Sequence, residues 1–194
     1  MIFNSFAGAA GVVFVAALSP GPNNIVVLRA AAAGDGSRPW PAIGGVVCGG
    51  IAMLAGTIAA GSAVLTTPHF RLGVAIAGAT YLAWLGLTMM RGSASPGKDS
   101  PLPAGFYGVF VFQFLNPKSW VMVLSLVAAF PPMGGAMTFA WLAPIFVVIP
   151  TACLLLWAVA GRRLAGILRT PESQRRFDRA MGAALITAAA LLLL

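Results

Sequence analysis

Ser19-Pro20-Gly21-Pro22-Asn23-Asn24 and Asn116-Pro117-Lys118-Ser119 are two polar, proline-bearing stretches set inside long apolar segments. Irregular backbone is tolerated at membrane depth only where it is buried in protein or lines a cavity, because hydrocarbon offers its freed N–H and C=O groups no partner. Paired interruptions at corresponding positions of two half-chains point to the binding site of a membrane transporter. The fold class that follows is an all-α membrane protein. Six transmembrane helices are expected as an inverted 3+3 repeat, with helices 1 and 4 broken.

Composition agrees with the membrane reading. The chain is 59% hydrophobic and 8% charged, with a mean hydropathy of +0.92. A span needs roughly 20 apolar residues to cross about 30 Å of hydrocarbon. Spans read near 3–30, 42–66, 70–90, 105–130, 138–160 and 177–194. Residues 1–194 then form one transmembrane domain, with half-repeats of about 1–92 and 104–194 joined by a linker of about 93–103, rich in turn formers. Ala16-Ala17-Leu18 resembles a signal-peptide cleavage region, but no Lys or Arg precedes it as an n-region requires. Residues 1–30 are therefore read as a retained, broken first helix. Cys48 and Cys153 stand singly in separate spans and read as small buried apolar residues.

The net charge of +8 raises nucleic acid as a partner, and its distribution argues against one. Arg29, Arg38, Arg91, Lys98, Arg162, Arg163, Arg169, Arg175, Arg176 and Arg179 all fall at the loops following spans 1, 3 and 5, whereas Arg71 alone falls on the other side. This positive-inside bias puts those loops in the cytoplasm and both termini outside. The basic excess is a topology signal, supported by contact with the anionic headgroups of the lipid bilayer.

Aligning Pro20 with Pro117 also places Gly11 on Gly108, Val12 on Val109 and Leu18 on Leu115. Three crossings per half invert the second copy and relate the halves by a pseudo-two-fold axis in the membrane plane. Gly45 and Gly49, like Ala52 and Gly56, stand in GxxxG spacing, which fits close helix contact within the subunit or across a homodimer. Segment 161–180 reads either as an interfacial amphipathic helix interrupted near Thr170-Pro171 or as a solvated basic loop.

Proline at a first helical position after a Ser or Asn cap marks a helix start, and Ser19-Pro20 and Asn116-Pro117 both match. Each new half-helix would aim its N-terminus at the midplane, offering free N–H groups and about half a positive charge to an anion such as a carboxylate. Lys118 adds a full charge there, and a charge at that depth is functional by default. Lys118 also fits the role of a structural counter-charge. Asn23 and Asn24 suit a substrate ammonium or the repair of freed carbonyls, and Gln113 lies one turn before Asn116. Tyr81, Trp84 and Trp120 offer cation–π contact. All four acids, Asp35, Asp99, Glu172 and Asp178, map to loops or span ends. With no carboxylate dyad, metal cluster, nucleophilic triad or phosphate loop, no catalysis, metal or cofactor is expected.

Three motifs in order carry a resemblance. Ser19-Pro20-Gly21-Pro22-Asn23, then Tyr81-Leu82-Ala83-Trp84-Leu85-Gly86, then Phe112-Gln113-Phe114-Leu115-Asn116-Pro117-Lys118 resemble the signatures of the LysE/RhtB family of bacterial amino-acid exporters, over essentially the whole chain. The resemblance implies export of amino acids across the bacterial cytoplasmic (inner) membrane, driven by the proton gradient. Some members carry an acid in helix 2 where this chain has Gly50, so it implies a neutral amino acid or derivative rather than lysine or arginine. The implied substrate-binding residues are Ser19, Pro20, Gly21, Pro22, Asn23, Asn24, Tyr81, Gln113, Asn116, Pro117, Lys118 and Trp120. Two other membrane architectures make different demands. A CcdA-like membrane thiol-redox enzyme needs cysteines at the breaks, where Ser19 and Asn116 stand. An ion or metal transporter of related architecture needs acids or histidine within the membrane.

Overall fold

The computed structural model describes residues 2–33, 39–60, 67–91, 102–103, 105–129, 133–167 and 170–191. Asp35, Arg38, Lys98, Asp99, Arg169 and most of the expected linker lie outside them. Among the described residues the chain is all-helical: α1 (Ile2–Leu18), α2 (Pro22–Ala32), α3 (Trp40–Ala60), α4 (Pro68–Arg91), α5 (Gly105–Leu115), α6 (Pro117–Ala129), α7 (Gly135–Ala165) and α8 (Pro171–Leu191). By length and composition α3 and α7 can each cross a membrane, and α1 with α2 makes a third candidate span, bent by 54° at its break.

The first break differs in detail from the sequence reading. Pro20 does not open the new helix; α2 begins at Pro22, with Gly21 extended before it (φ −170°, ψ 175°). Each proline disfavours helical backbone in the residue preceding it, so Ser19 and Gly21 both leave the helix. The Ser19 hydroxyl turns back to donate to the Ala16 carbonyl (3.0 Å) rather than capping α2. Asn24 Nδ2 donates to the carbonyls of Ala17 (3.1 Å) and Ser19 (2.7 Å), and Trp157 Nε1 reaches the Leu18 carbonyl (3.3 Å). These contacts supply partners that the interrupted helix cannot.

The second break is tighter and follows the expected pattern. Only Asn116 leaves the helix, and Pro117 takes the first position of α6. Asn116 caps that end twice: its Oδ1 accepts from the Lys118 N–H (3.1 Å), and its carbonyl accepts from the N–H groups of Ser119 and Trp120.

Glycines set the helix spacings. A Cβ on Gly45 would lie 2.6 Å from the Phe106 carbonyl oxygen, and one on Gly49 would lie 2.7 Å from Gln113 Cγ, so this GxxxG pair seats α3 against α5 within the subunit. Gly161 brings α7 against α2, where a Cβ would lie 2.2 Å from the Leu28 carbonyl oxygen. Between α4 and α8, a Cβ on Gly86 would meet Gly182 O at 2.6 Å, and one on Gly182 would meet Gly86 O at 2.5 Å. One apolar core joins α2, α3, α4, α5, α7 and α8, and a second joins α1, α3, α6 and α7. Cys153 is buried as expected, whereas Cys48 is exposed, because the α3 face turned to α5 belongs to Gly45 and Gly49.

The described part of segment 161–180 is mostly helical rather than a solvated loop, and its interruption falls ahead of Pro171, as the helical reading expects. Residues 161–165 finish α7 and 171–180 open α8. The Thr170 hydroxyl accepts from the Ser173 N–H (3.1 Å), and Ser173 Oγ accepts from the Thr170 N–H (3.3 Å), a reciprocal cap ahead of Pro171. The last helix therefore starts six residues before the apolar stretch. Arg29, in the final turn of α2, forms an ion pair with Asp178 of α8.

Candidate functional site

A cavity of about 580 Å³, its open mouth included, lies where the two breaks meet α3 and α7. From the first break it is lined by Ala16, Ala17, Gly21, Pro22, Asn23 and Asn24, and from the second by Gln113, Asn116, Lys118, Ser119, Met122 and Val123. The α3 wall is Val46, Val47 and Gly50, and the α7 wall is Phe146, Pro150 and Leu154.

Gln113 is the hub. It is buried, donates through Nε2 to the Val46 carbonyl (2.8 Å), and accepts at Oε1 from Asn23 Nδ2 (2.9 Å) and Ser119 Oγ (2.9 Å). One amide thus ties both breaks to α3. Gly49 makes this possible, since any side chain there would occupy the space of Gln113. Asn23 Oδ1 is buried without a hydrogen-bond partner, an open acceptor in the cavity wall. Asn24 is committed to the carbonyls of the break.

The Lys118 ammonium spans the two breaks. Nζ donates to the Ser19 carbonyl (2.7 Å) and to Ser19 Oγ (2.8 Å). A Cβ on Gly21 would lie only 3.0 Å from Nζ, so the cation stands beside the first turn of α2. No side chain caps that N-terminus. An ammonium has three donors, and two are taken by Ser19. The expected pair of anion-binding helix ends is thereby reduced to one: the α6 end is spent on Asn116, while the α2 end stays open beside a cation.

The remaining expected site residues fall elsewhere. Pro20 is exposed and does not line the cavity. Pro117 is buried against Gly78 of α4. Tyr81 packs against Phe112 and Trp84, at ring distances of 5.5 and 5.7 Å, and Trp120 Nε1 donates to the Phe114 carbonyl (2.9 Å). The aromatic trio does not converge on the cavity, because a helix turns some 100° per residue and these rings lie on other faces. The aromatic in the wall is Phe146. Sequence reading missed it, although Phe146, Pro150 and Leu154 recur every four residues around a proline within an apolar helix.

The family profile of the LysE type translocators matches residues 14–194. The chain belongs to that family. As a LysE type translocator it is a membrane-embedded transporter and not an enzyme. It is 30% identical over 151 residues to a protein named cysteine/O-acetylserine efflux protein in Salmonella paratyphi A, covering 76% of this chain and 77% of that one. A protein of the same name in Escherichia coli O1:K1 is 28% identical over 163 residues, covering 80% and 81%. An uncharacterised membrane protein of Pseudomonas aeruginosa is 29% identical over 173 residues, covering 82% of this translocator and 80% of its own length. No solved structure matches the translocator.

Proposed function

We propose that this translocator exports a neutral amino acid or a close derivative across the bacterial cytoplasmic membrane, driven by the proton gradient. The observation that carries the reading is the cavity at the two breaks. It offers a cation beside an uncapped helix N-terminus, suited to a carboxylate, and a buried open acceptor on Asn23, suited to an ammonium. Gly50 leaves the wall without the carboxylate that a basic substrate would need. The efflux proteins it resembles are named for cysteine and O-acetylserine, both neutral in the side chain.

The carrier is a 3+3 inverted repeat of six spans: α1–α2, α3 and α4, then α5–α6, α7 and α8. The packing supports this, since exchanging the halves maps α2 on α7 onto α6 on α3, and α3 on α5 onto α7 on α1, and all four contacts occur. The α4–α8 contact maps onto itself. Gly86 opposes Ile186 while Gly182 opposes Met90, each pair of equivalents being 96 residues apart. The Arg29–Asp178 pair brings the end of the first span beside the start of the last, consistent with both lying on the cytoplasmic side and both termini lying outside.

The test is efflux of labelled neutral amino acids from proteoliposomes with an imposed proton gradient, with and without an uncoupler. Retention of the whole panel refutes the substrate class, and efflux untouched by the uncoupler refutes the coupling. Single cysteines at Ser95 and Gly135 report topology: labelling of Ser95 from outside and of Gly135 from the cytoplasm would reverse it.

A further inference from the structure

We propose that the wall between α3 and α7 receives the side chain of the translocated amino acid, and that Gly50, facing Phe146, sets the largest side chain accepted. This rests on the amino-acid reading above. The division of the lining carries it. Every polar side chain in the cavity wall comes from the two breaks and the turns beside them, whereas α3 and α7 contribute only apolar residues. On α3, Val46 and Gly50 are four residues apart, and on α7, Phe146, Pro150 and Leu154 are spaced likewise, so each set shares one helix face. With the backbone carboxylate and ammonium held at the polar end, the rest of the substrate meets an apolar surface. A charged side chain there would be buried unpaired, which is strongly unfavourable.

Gly50 differs from its neighbours in what its missing side chain does. Gly45 and Gly49 are required by packing, because a Cβ on either would run into α5. A Cβ on Gly50 would meet only the Phe146 ring, at 3.6 and 4.0 Å, which is ordinary contact. Helix propensity favours alanine over glycine within a helix, so neither packing nor propensity calls for glycine here. The consequence is spatial: any atom added at Gly50 removes volume from the cavity. Phe146 is 2% exposed and held in the second core with Met53, Leu54 and Leu142, so the opposite wall cannot swing away to compensate. The stretch of wall that Gly50 and Phe146 form together is therefore fixed, with room for about one methyl group where they face each other.

Initial efflux rates of labelled alanine, valine and leucine from proteoliposomes, measured at low concentration, test this size limit. In Gly50→Ala the alanine-to-leucine rate ratio should rise by about tenfold or more, since one methylene of mismatch in an apolar pocket is worth on the order of ten- to two-hundredfold. Phe146→Leu should lower the same ratio by giving room back. Gly56→Ala, on α3 with nothing within 4 Å of its added methyl, is the control and should leave the ratio at the wild-type value. A ratio unmoved in both Gly50→Ala and Phe146→Leu overturns the subsite while the amino-acid reading stands. Wild-type vesicles that export other neutral amino acids but none of these three overturn the apolar subsite alone, and vesicles that retain the whole panel overturn both.

Discussion

Replacing Lys118 by methionine keeps the apolar stem and deletes the ammonium, which separates its two assigned roles. The structural role is bounded by the partners that remain. The Ser19 carbonyl keeps Asn24 Nδ2 at 2.7 Å, and the Ser19 hydroxyl keeps the Ala16 carbonyl at 3.0 Å, so neither group is stranded by the change. The loss in fold stability should then match about one charge-assisted hydrogen bond rather than two, roughly 1.5–3 kcal/mol. The binding role costs one such contact to the substrate carboxylate, again about 1.5–3 kcal/mol, which converts to a tenfold to hundredfold weaker Kd, roughly. Purified protein in detergent permits both measurements: a melting curve for the fold and calorimetric titration with the best-exported amino acid for binding. A Kd within twofold of wild type, in protein that still melts cooperatively, would show that Lys118 only fastens the break.

Three further outcomes follow from named contacts. Asn24→Ala strands the Ala17 carbonyl and should lower stability by about 1–3 kcal/mol, seen as a lower Tm, whereas Asn23→Ala should act chiefly on Kd and by less than Lys118→Met; equal effects of both on Tm would contradict this. Gly161→Ala drives a methyl into the Leu28 carbonyl and should cost about 1–3 kcal/mol by overpacking, read as a Tm below that of Gly56→Ala. Asp178→Asn should destabilise by about 1 kcal/mol, given that both partners keep some exposure, and the exchange Arg29→Asp with Asp178→Arg should recover part of it; a double-mutant cycle without coupling would remove the pair as a tie between α2 and α8.

The two breaks were legible because their signal is local. Proline inside an apolar run removes a helical N–H whatever packs around it, and Asn before Pro117 caps as its chemistry dictates. The start of α2 was misplaced because two prolines compete and the outcome depends on the residues between them. The aromatic contacts failed for another reason: Tyr81, Trp84 and Trp120 lie in segments apolar all round, where periodicity does not tell which face meets the cavity. The start of α8 was hidden by charge. Glu172, Arg175, Arg176, Asp178 and Arg179 suppress hydropathy, although Thr170, Pro171 and Ser173 carry a helix-start signal that outweighs it.

The two breaks open their following helices differently, with Asn116 capping α6 and no side chain capping α2. With the α6 end closed on Asn116, Lys118 Nζ reaches Ser19 and stands beside the uncapped α2 end, so under the proposed export reading the cation and the open N–H groups would meet one carboxylate from two helices. Gln113 then has to be a neutral amide. A carboxylate at that position would accept from Asn23 and Ser119 but could not donate to Val46, and leucine would leave both donors buried without an acceptor. Only a group that accepts twice at one atom and donates at the other holds the two breaks and α3 in one register, and through that register fixes where Asn23 Oδ1 points.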